Sequence, residues 1–506
     1  MKFSKPSYKA ISSYIAWLYV LSLFVVYPFY MEQGYVGIDV SKYNYFVLST
    51  LIGIVLMLVT GFQVLLDGFR DKSVRVFNLF LPAFAVFSIL SYVFSSYKDT
   101  ALTGTNGWFM GLETLLLICA ASFLTARLIT HPEMLLYPVL IASAAVFLLG
   151  LLDRFSLYII PLEIRDPSFI STLGNINWFM GYYSVLVPIG AAAFLLADGN
   201  NKKKRYFLAL YLLIAFMAGF AQGSESVFLF DIALLIGMIF LCYRKVLRLD
   251  DVLKVIMLWA LSCQAVRLMR LVFPNGYNYE TTGFCASMTE SSATLLILAV
   301  TFIIYLFYIR FRTDELDKKI YPVLLGAFAF CFIVYIFIGV LRTNTDLLDG
   351  LSNSVFKFND SFGSGRGAAY RISLEAIKHM SFKDILLGVG PDSYASFVYS
   401  IPELSDELGA IWPNDILTNS HSELLTMFIN EGAFGLISYV GIFVVFIKDM
   451  LKNTDKNLCV CITLSAFCYL VHNLISFSQL LNTPFIFVLM AAATACVRNG
   501  ANTDIL

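Results

Sequence analysis

Residues 320–341 read IYPVLLGAFAFCFIVYIFIGVL and contain no charged side chain. A helix needs roughly 20 apolar residues to cross the ~30 Å hydrocarbon core of a bilayer, so this stretch predicts a transmembrane helix. Comparable runs predict an all-α polytopic transmembrane bundle of about 14 helices, with a range of roughly 12 to 14. The runs lie near residues 11–30, 44–66, 75–97, 108–129, 134–153, 176–197, 206–222, 226–243, 252–272, 290–309, 320–341, 422–447, 458–477 and 481–497.

The composition excludes a soluble globular protein. Of the 506 residues, 59% are apolar and 14% are charged, whereas soluble domains have roughly 45–50% apolar and about 25% charged residues. The 35 Lys and Arg residues balance the 35 Asp and Glu residues. The chain therefore has no net field that would attract nucleic acid, and no nucleic-acid partner is expected.

The distribution of Lys and Arg predicts the orientation of the bundle, because cytoplasmic loops carry an excess of basic residues. Arg267 and Arg270 lie within the ninth run, and most other basic residues fall in connections on one side, which we assign to the cytoplasm. Both termini are then cytoplasmic, the first run is a retained anchor, and no domain is expected outside the bundle. The basic residues in connections on the outer side are Lys42, Lys98, Arg154, Arg165, Arg342, Lys357, Arg366, Arg371, Lys378 and Lys383.

The longest connection, residues 342–421, is then on the outer face, between the eleventh and twelfth spans. It divides the chain into residues 1–341 with helices 1 to 11, the loop itself, and residues 422–506 with helices 12 to 14. Loops of this length inside a compact domain are uncommon and usually functional. We therefore expect the active site in this loop.

A glycine-rich stretch, Gly363-Ser364-Gly365-Arg366-Gly367, lies within the loop. Apolar residues then recur every three or four positions from Tyr370 to Ile377, with Arg371 off that face, which predicts an amphipathic helix. Ser364 is expected to be its N-cap. Free amides at a helix start, together with an arginine, suit a phosphate or pyrophosphate. An ordinary capped surface helix would explain the same pattern.

Four histidines occur, and three have structural interpretations. His131 falls in a cytoplasmic turn, His379 ends the loop helix, and His472 is expected to bond to a neighbouring helix. His421 differs because it lies where the loop returns to the membrane, in Asn419-Ser420-His421-Ser422-Glu423. An imidazole with a pKa near ~6.5 at the rim of a cavity can accept a proton at neutral pH. A structural role is the alternative.

The sequence gives little sign of a metal site or of a catalytic nucleophile. No His or Cys cluster has metal-ligand spacing, and no Gly-x-Ser-x-Gly nucleophile motif occurs, so we expect neither a metal nor another cofactor. The nine cysteines, including Cys285 in an outer connection, are expected to be packing residues without disulfides. The carboxylates of the outer loop are expected to form a solvated surface, and they include Asp346, Asp360, Asp392, Asp406 and Asp415.

Several motifs follow one another along the chain. Ser171-Thr172-Leu173-Gly174-Asn175-Ile176-Asn177 opens the sixth run. Gly365-Arg366-Gly367 precedes the loop helix, and Gly388-Val389-Gly390-Pro391 follows it. Asn419-Ser420-His421 leads into the twelfth run, which continues with Glu431-Gly432. Together, over about residues 100–450, they resemble the O-antigen ligase and polymerase superfamily of bacterial membrane glycosyltransferases.

Two positions depart from the pattern of the superfamily. Ser422 follows the histidine where the family usually has Asn. At the start of the eighth run, Gln222-Gly223-Ser224-Glu225-Ser226 stands where the family often shows Ser-Arg-Gly. An anion-binding arginine is missing there, so part of the phosphate site has to come from other residues.

The resemblance implies transfer of a glycan from an undecaprenyl-pyrophosphate carrier to an acceptor hydroxyl, on the outer face of the bacterial cytoplasmic (inner) membrane. Arg366 would bind the pyrophosphate through its bidentate fork, and His421 would take the acceptor proton. Asn175 and Asn177 would bind sugar hydroxyls or cap the helix that follows. One displacement with a base and no protein nucleophile inverts the anomeric centre, and arginines would replace a metal.

A second cation could come from the ninth span. Arg267 and Arg270 are three residues apart, hence on one helix face, near its outer end. Charged residues inside a span usually mark a cavity or a partner. We expect these two, and Arg371 of the loop helix, to bind substrate, with Glu225 orienting them or contacting the acceptor. Snorkelling to the lipid headgroups is the alternative.

Other functions are compatible with parts of this pattern. A ligase and a polymerase of the same superfamily fit equally, whereas a flippase for lipid-linked oligosaccharides would need two matched halves. A peptidoglycan polymerase of the shape, elongation and division type and a structural scaffold are further alternatives. The expected partners are the carrier-linked donor, a hydroxyl acceptor and membrane lipids.

Overall fold

A computed structural model describes residues 7–68, 75–162, 164–166, 168–278, 284–345 and 357–500. Helices account for most of these residues. Those before the long outer loop are α1 Tyr8–Leu21, α2 Ile38–Gly68, α3 Arg75–Phe94, α4 Lys98–Thr103, α5 Leu112–Leu128, α6 Leu136–Arg154, α7 Ile176–Leu196, α8 Lys202–Gln222, α9 Ser226–Tyr243, α10 Leu249–Val272, α11 Phe284–Glu290, α12 Ala293–Phe311 and α13 Asp314–Asn344. The loop contains α14 Phe362–Lys378, α15 Phe382–Leu387, α16 Tyr394–Val398 and α17 Pro402–Ile411, and α18 Glu423–Met450, α19 Asn457–His472 and α20 Thr483–Asn499 follow it.

The predicted apolar runs coincide with helices of the structure, so the all-α polytopic fold is confirmed. Within the described residues, 10 helical segments are long and apolar enough to cross a membrane. Three shorter apolar helices add to them, Asn78–Phe94, Asn457–His472 and Thr483–Asn499. The number of crossings, about 14, stays a prediction.

Burial distinguishes the centre of the bundle from its periphery. The most apolar window of α7 is 94% buried, whereas those of α12 and α13 are 17% and 6% buried. A helix that is apolar all round and buried all round belongs to a protein core, and one that is apolar but uncovered suits lipid. Helix α7 therefore forms the core against α19 and α8, while α12 and α13 present their side chains to the membrane.

The first span is not a continuous α-helix. After α1 the chain forms a π-helix, Ser22–Val26, and a 3-10 turn, Tyr27–Phe29. Pro28 lacks an N–H and cannot continue the α-helical ladder. The buried Lys42 of α2 donates to the carbonyls of Tyr27 at 3.0 Å and Pro28 at 2.9 Å. Lys42 therefore stabilises this break in the helix.

The strands are confined to one short hairpin in the part of the chain that is described. Strands β1 Phe169–Ile170 and β2 Gly174–Asn175 pair antiparallel. Gly174 has a φ of 97°, a conformation that favours glycine. The hairpin brings the chain to the start of α7, where Asn175 is the N-cap.

Candidate functional site

The outer loop folds around a small apolar core of its own. Ala369, Ile372 and Ala376 of α14 are buried against residues of α16 and α17, including Tyr394 and Leu408. The buried Ile429 of α18 belongs to the same cluster. The loop is therefore packed as a unit on the outer part of a membrane helix, which fixes its functional side chains relative to the bundle.

The start of α14 differs from the prediction. The helix begins at Phe362 with Ser361 as its N-cap residue, so the expectation that Ser364 is the N-cap is wrong. The reason is the conformation of the flanking glycines, since Gly363 has a φ of 57° and Gly365 a φ of 91°. These glycines let the chain turn tightly within the first helical turn, upstream of the regular part of the helix.

Arg366 projects from this glycine-rich turn into a largely enclosed position. Its Nη1 donates to the carbonyl of Gly363 at 2.7 Å, and its Nε donates to the carbonyl of Ile475 at 3.2 Å. Burial lowers the pKa of Arg366, while the charges of Tyr370 and Glu225 raise it. A guanidinium has five N–H donors, so donors remain for a ligand beyond the two that these carbonyls use.

His421 is held in an unusual backbone conformation. Its φ is 54°, which is uncommon outside glycine, although His, Asn and Asp adopt it more often than other residues. The side-chain oxygen of Asn419 accepts from the His421 amide at 2.9 Å. The Tyr370 hydroxyl donates to the His421 carbonyl at 3.4 Å, which ties the loop helix to this turn.

The imidazole of His421 is positioned by a ring contact. It lies edge-on to Phe477, with 5.6 Å between the ring centroids, and neither ring nitrogen makes a hydrogen bond to another described residue. Burial, and then the charge of Arg366, lower the pKa of His421 to about 4. The ring is therefore neutral at pH 7 and has a lone pair available.

The Gly-Val-Gly turn and the Glu-Gly motif meet in space. Helix α18 has a kink at Gly432, whose φ is 67° and ψ is −171°. The freed carbonyl of Ile429 accepts from the Val389 amide at 2.9 Å, and that of Asn430 accepts from the Gly390 amide at 3.0 Å. Backbone groups released inside a membrane helix need such partners. The loop is thus hydrogen-bonded to the interior of α18.

Asp392 is buried, contrary to the expectation that the carboxylates of the outer loop are solvated. It is 8% exposed, and its Oδ2 accepts from the amides of Thr105 at 2.7 Å and Met110 at 3.1 Å. Burial raises the pKa of Asp392 to about 7, although these amide bonds lower it. Asp406 and Asp415 are exposed as expected.

The last two carboxylates of that set are Asp360 and Asp346. Asp360 is largely exposed and pairs with Arg371 at 2.8 Å, while a Glu407 oxygen lies 2.7 Å from the same guanidinium. Hydrogen bonds to these carboxylates raise the pKa of Arg371. Two carboxylates therefore already balance Arg371, and its role in substrate binding stays a prediction. Asp346 lies outside the described residues.

A narrow cavity is lined in part by Phe477 and Ser478, which follow Ile475 along the chain. Its volume is about 30 Å³. Sequence reasoning missed its polar residues, because they come from four separate parts of the chain. The wall includes Trp108, Asp392, Asn419, Glu423, Asn430 and Phe477.

Asn175 and Asn177 occupy the start of α7. The Asn175 side-chain oxygen accepts from the Asn177 amide at 2.8 Å, so Asn175 caps the helix. This is the alternative that the sequence left open. Both side chains are partly exposed, and sugar binding by them stays a prediction.

Arg267 and Arg270 tie α10 to the short helix α11. Arg267 donates through Nε to the Glu290 carbonyl at 3.2 Å. Arg270 donates to the Thr289 hydroxyl and to the Glu290 carboxylate, each at 2.8 Å. These hydrogen bonds join α10 to α11, and a role of the two arginines in holding pyrophosphate stays a prediction.

Glu225 precedes α9, at the position where the superfamily often carries arginine. Of the outer residues expected to assist Arg366, it is the one whose charge acts on the Arg366 guanidinium. Its negative charge favours the charged form of the enclosed Arg366. Within the described ranges, no group of three or more His, Cys, Asp or Glu side chains is arranged to hold a metal ion.

Two residues of this site, Arg366 and His421, lie together in the C-terminal half of the chain. Residues 281–440 match the O-antigen ligase family. The match confirms the resemblance to the O-antigen ligase-like superfamily and includes Arg366, Arg371 and His421, whereas Asn175, Glu225 and the arginines of α10 precede it. The match supports function of the O-antigen ligase or polymerase type in general terms, and the apolar helices are those of a multi-pass membrane protein. No curated protein matches the chain.

Proposed function

We propose that the chain transfers a glycan from an undecaprenyl-pyrophosphate carrier to an acceptor hydroxyl on the outer face of the bacterial cytoplasmic membrane. The observation that carries the proposal is that Arg366 and His421 contact the same short segment, Arg366 through the Ile475 carbonyl at 3.2 Å and His421 through the Phe477 ring at 5.6 Å between centroids. In this proposal residues 342–421 supply the active-site loop, residues 1–341 and 422–506 supply the membrane helices, and both termini are cytoplasmic.

The chemistry needs a cation and a base. The acceptor oxygen bonds to the anomeric carbon, the bond from that carbon to the pyrophosphate oxygen breaks, and the electron pair leaves with the pyrophosphate. Arg366 holds the charge that develops on the leaving group. His421 takes the acceptor proton. A single displacement of this kind inverts the anomeric configuration.

Donor binding should raise the proton affinity of His421. In the unliganded site the charge of Arg366 contributes to the low pKa of His421. An anionic pyrophosphate beside Arg366 offsets that charge, so the affinity of the imidazole for a proton rises when the donor is bound. His421 therefore becomes a stronger base in the complex that reacts.

The proposal is tested with the full chain in lipid nanodiscs and a purified carrier-linked glycan. His421→Ala should abolish release of undecaprenyl pyrophosphate, since general-base catalysis contributes typically ~10²–10⁴-fold. His379→Ala is the matched control, because His379 is exposed at the end of α14 and lies outside the proposed site. Full activity in His421→Ala would remove the base assignment.

The same assay separates the alternatives. Transfer onto a second carrier-linked glycan identifies a polymerase, and transfer onto a different acceptor identifies a ligase. Movement of intact lipid-linked glycan between leaflets, without release of undecaprenyl pyrophosphate, would identify a flippase and contradict the proposed reaction.

A further inference from the structure

The cavity beside Phe477 carries a polar group without a partner. Asn430 is 7% exposed and lines the cavity, and its side-chain oxygen has no hydrogen-bond partner among the described residues. Buried amides are normally hydrogen-bonded, so an amide oxygen without a described partner, in a residue that lines a cavity, has the capacity to accept from a ligand. The backbone carbonyl of Asn430 is separately satisfied by Gly390 and Ser91.

The other residues that line the cavity indicate which kind of ligand fits it. Three acidic residues, Asp392, Glu423 and Glu431, line the cavity, and both carboxylate oxygens of Glu431 lack a hydrogen-bond partner among the described residues. This wall disfavours anions and favours groups that donate hydrogen bonds. Trp108 and Phe477 supply an aromatic wall, with 4.6 Å between their rings. Hydroxyl donors on an apolar ring face are the combination that a sugar presents. A metal ion is less suitable, because no described group of three His, Cys, Asp or Glu side chains could hold one.

The size of the cavity limits what enters it. A volume of about 30 Å³ corresponds to about two water molecules. One hydroxyl or hydroxymethyl group fits, whereas a whole sugar ring does not. Trp108 is partly exposed at the mouth, where its Nε1 donates to Thr418 at 2.8 Å. The ring of the sugar can therefore lie against the Trp108 face while one substituent reaches Asn430.

The segment after α19 contacts both residues of the proposed catalytic pair and the wall of the cavity. The Ile475 carbonyl accepts from Arg366, the Phe477 ring contacts His421, and Ser478 donates to Glu423 in the cavity wall. Along this short segment the cation comes first, the imidazole second and the cavity third. In an inverting displacement the acceptor approaches from the side opposite to the leaving group. Because Arg366 contacts one end of the segment and the cavity wall contacts the other, we assign the cavity to the acceptor.

We propose that the cavity formed by Trp108, Asp392, Glu423, Asn430 and Phe477 is a carbohydrate subsite that binds a sugar residue of the acceptor. The assignment of the acceptor side rests on the proposed function. The binding of a sugar rests on the cavity alone. These two parts are tested by different measurements.

The binding test uses the full chain in nanodiscs and a panel of methyl glycosides of glucose, galactose, mannose, N-acetylglucosamine and rhamnose. Saturation-transfer NMR should detect at least one glycoside on the wild type. Asn430→Leu, which keeps the branched shape of the side chain and removes the amide, should weaken that binding about tenfold. Trp108→Ala should do the same by removing the stacking face. Asn344→Leu is the matched control, because Asn344 is an exposed asparagine of α13.

The transfer test uses the same variants with carrier-linked glycan as donor. Asn430→Leu should raise the half-saturating acceptor concentration about tenfold and leave that of the donor unchanged. If the protein binds glycosides through Asn430 but releases no undecaprenyl pyrophosphate, the subsite is supported and the proposed function is contradicted. Transfer with an unchanged acceptor dependence in both variants overturns the subsite and keeps the function.

Three binding results overturn the carbohydrate subsite. The first is no saturation transfer to any glycoside of the panel. The second is equal binding by the wild type, Asn430→Leu and Trp108→Ala. The third is a thermal stabilisation of the wild type by sodium or calcium that Asn430→Leu abolishes, since the cavity would then hold a cation.

Discussion

Replacing Gly388 with alanine should detach the outer loop from α18. Gly388 has a φ of 81° and a ψ of 176°, a region that is essentially restricted to glycine and costs another residue about 1–3 kcal/mol. A Cβ at this position would also overlap the carbonyl oxygen of Asn430. Relief of that overlap requires the Gly-Val-Gly turn to move away from the kinked helix.

The movement would break the two backbone hydrogen bonds that Val389 and Gly390 make to α18. Each contributes about 1 kcal/mol net. These bonds favour the attached loop in the wild type and in the variant, whereas the strain of about 1–3 kcal/mol arises only in the attached variant. The strain alone shifts the equilibrium toward the detached loop by roughly 5- to 150-fold, and the overlap with Asn430 adds to it. Glycan transfer should fall sharply, because the loop carries Arg366 and leads to His421.

Hydrogen exchange measured by mass spectrometry on the full chain in nanodiscs would detect this change in peptides that cover residues 384–400. Gly409→Ala is the control, because a Cβ at Gly409 meets no atom within 4 Å, and alanine within helix α17 should stabilise it slightly. Equal exchange in both variants, with equal transfer activity, would refute the argument that this glycine turn holds the loop.

Four further outcomes are expected. Arg366→Lys keeps the charge and loses the bidentate fork, so the half-saturating donor concentration should rise about tenfold at normal protein levels; unchanged donor dependence would contradict the assignment. The pKa of His421 is depressed to about 4, so kcat/KM should stay constant as pH falls past ~6.5 and decline only near pH 4; a decline centred near ~6.5 would contradict it. Transfer should persist in excess EDTA, since arginine holds the pyrophosphate, and loss restored by magnesium would count against that. Replacing both Arg267 and Arg270 with Gln should raise the half-saturating donor concentration. An unchanged value would mean that the two arginines only hold α11 against α10.

The membrane helices were predictable from the sequence because lipid imposes a local requirement, a run of apolar residues of sufficient length. The helix from Phe362 to Lys378 was predictable for a similar reason, since its apolar period is visible within a few turns. The position of its first residue was not. That boundary depends on backbone angles at Gly363 and Gly365, which the residue types permit but do not specify.

The candidate site depends on contacts between residues distant in sequence, so single-sequence patterns could predict little of it. Arg366 and His421 were paired through a family resemblance and not through their spacing. Asp392 was expected at the surface because it lies in a polar loop, whereas the amides of Thr105 and Met110 enclose it. The hydrogen bonds between Val389 and Ile429, and the ring contact of Phe477 with His421, have no local signature.

The short segment from Ile475 to Ser478 contacts the guanidinium, the imidazole and the cavity in turn. In the proposed reaction, a pyrophosphate bound to the remaining donors of Arg366 would shift the guanidinium and alter the constraint on the residues that follow Ile475. Occupancy of one end of the segment would then change the affinity at the other end. Thermodynamic linkage makes such an effect reciprocal, so an acceptor that orders the segment would alter donor affinity by the same factor. The two proposed substrates would be coupled through four residues of main chain.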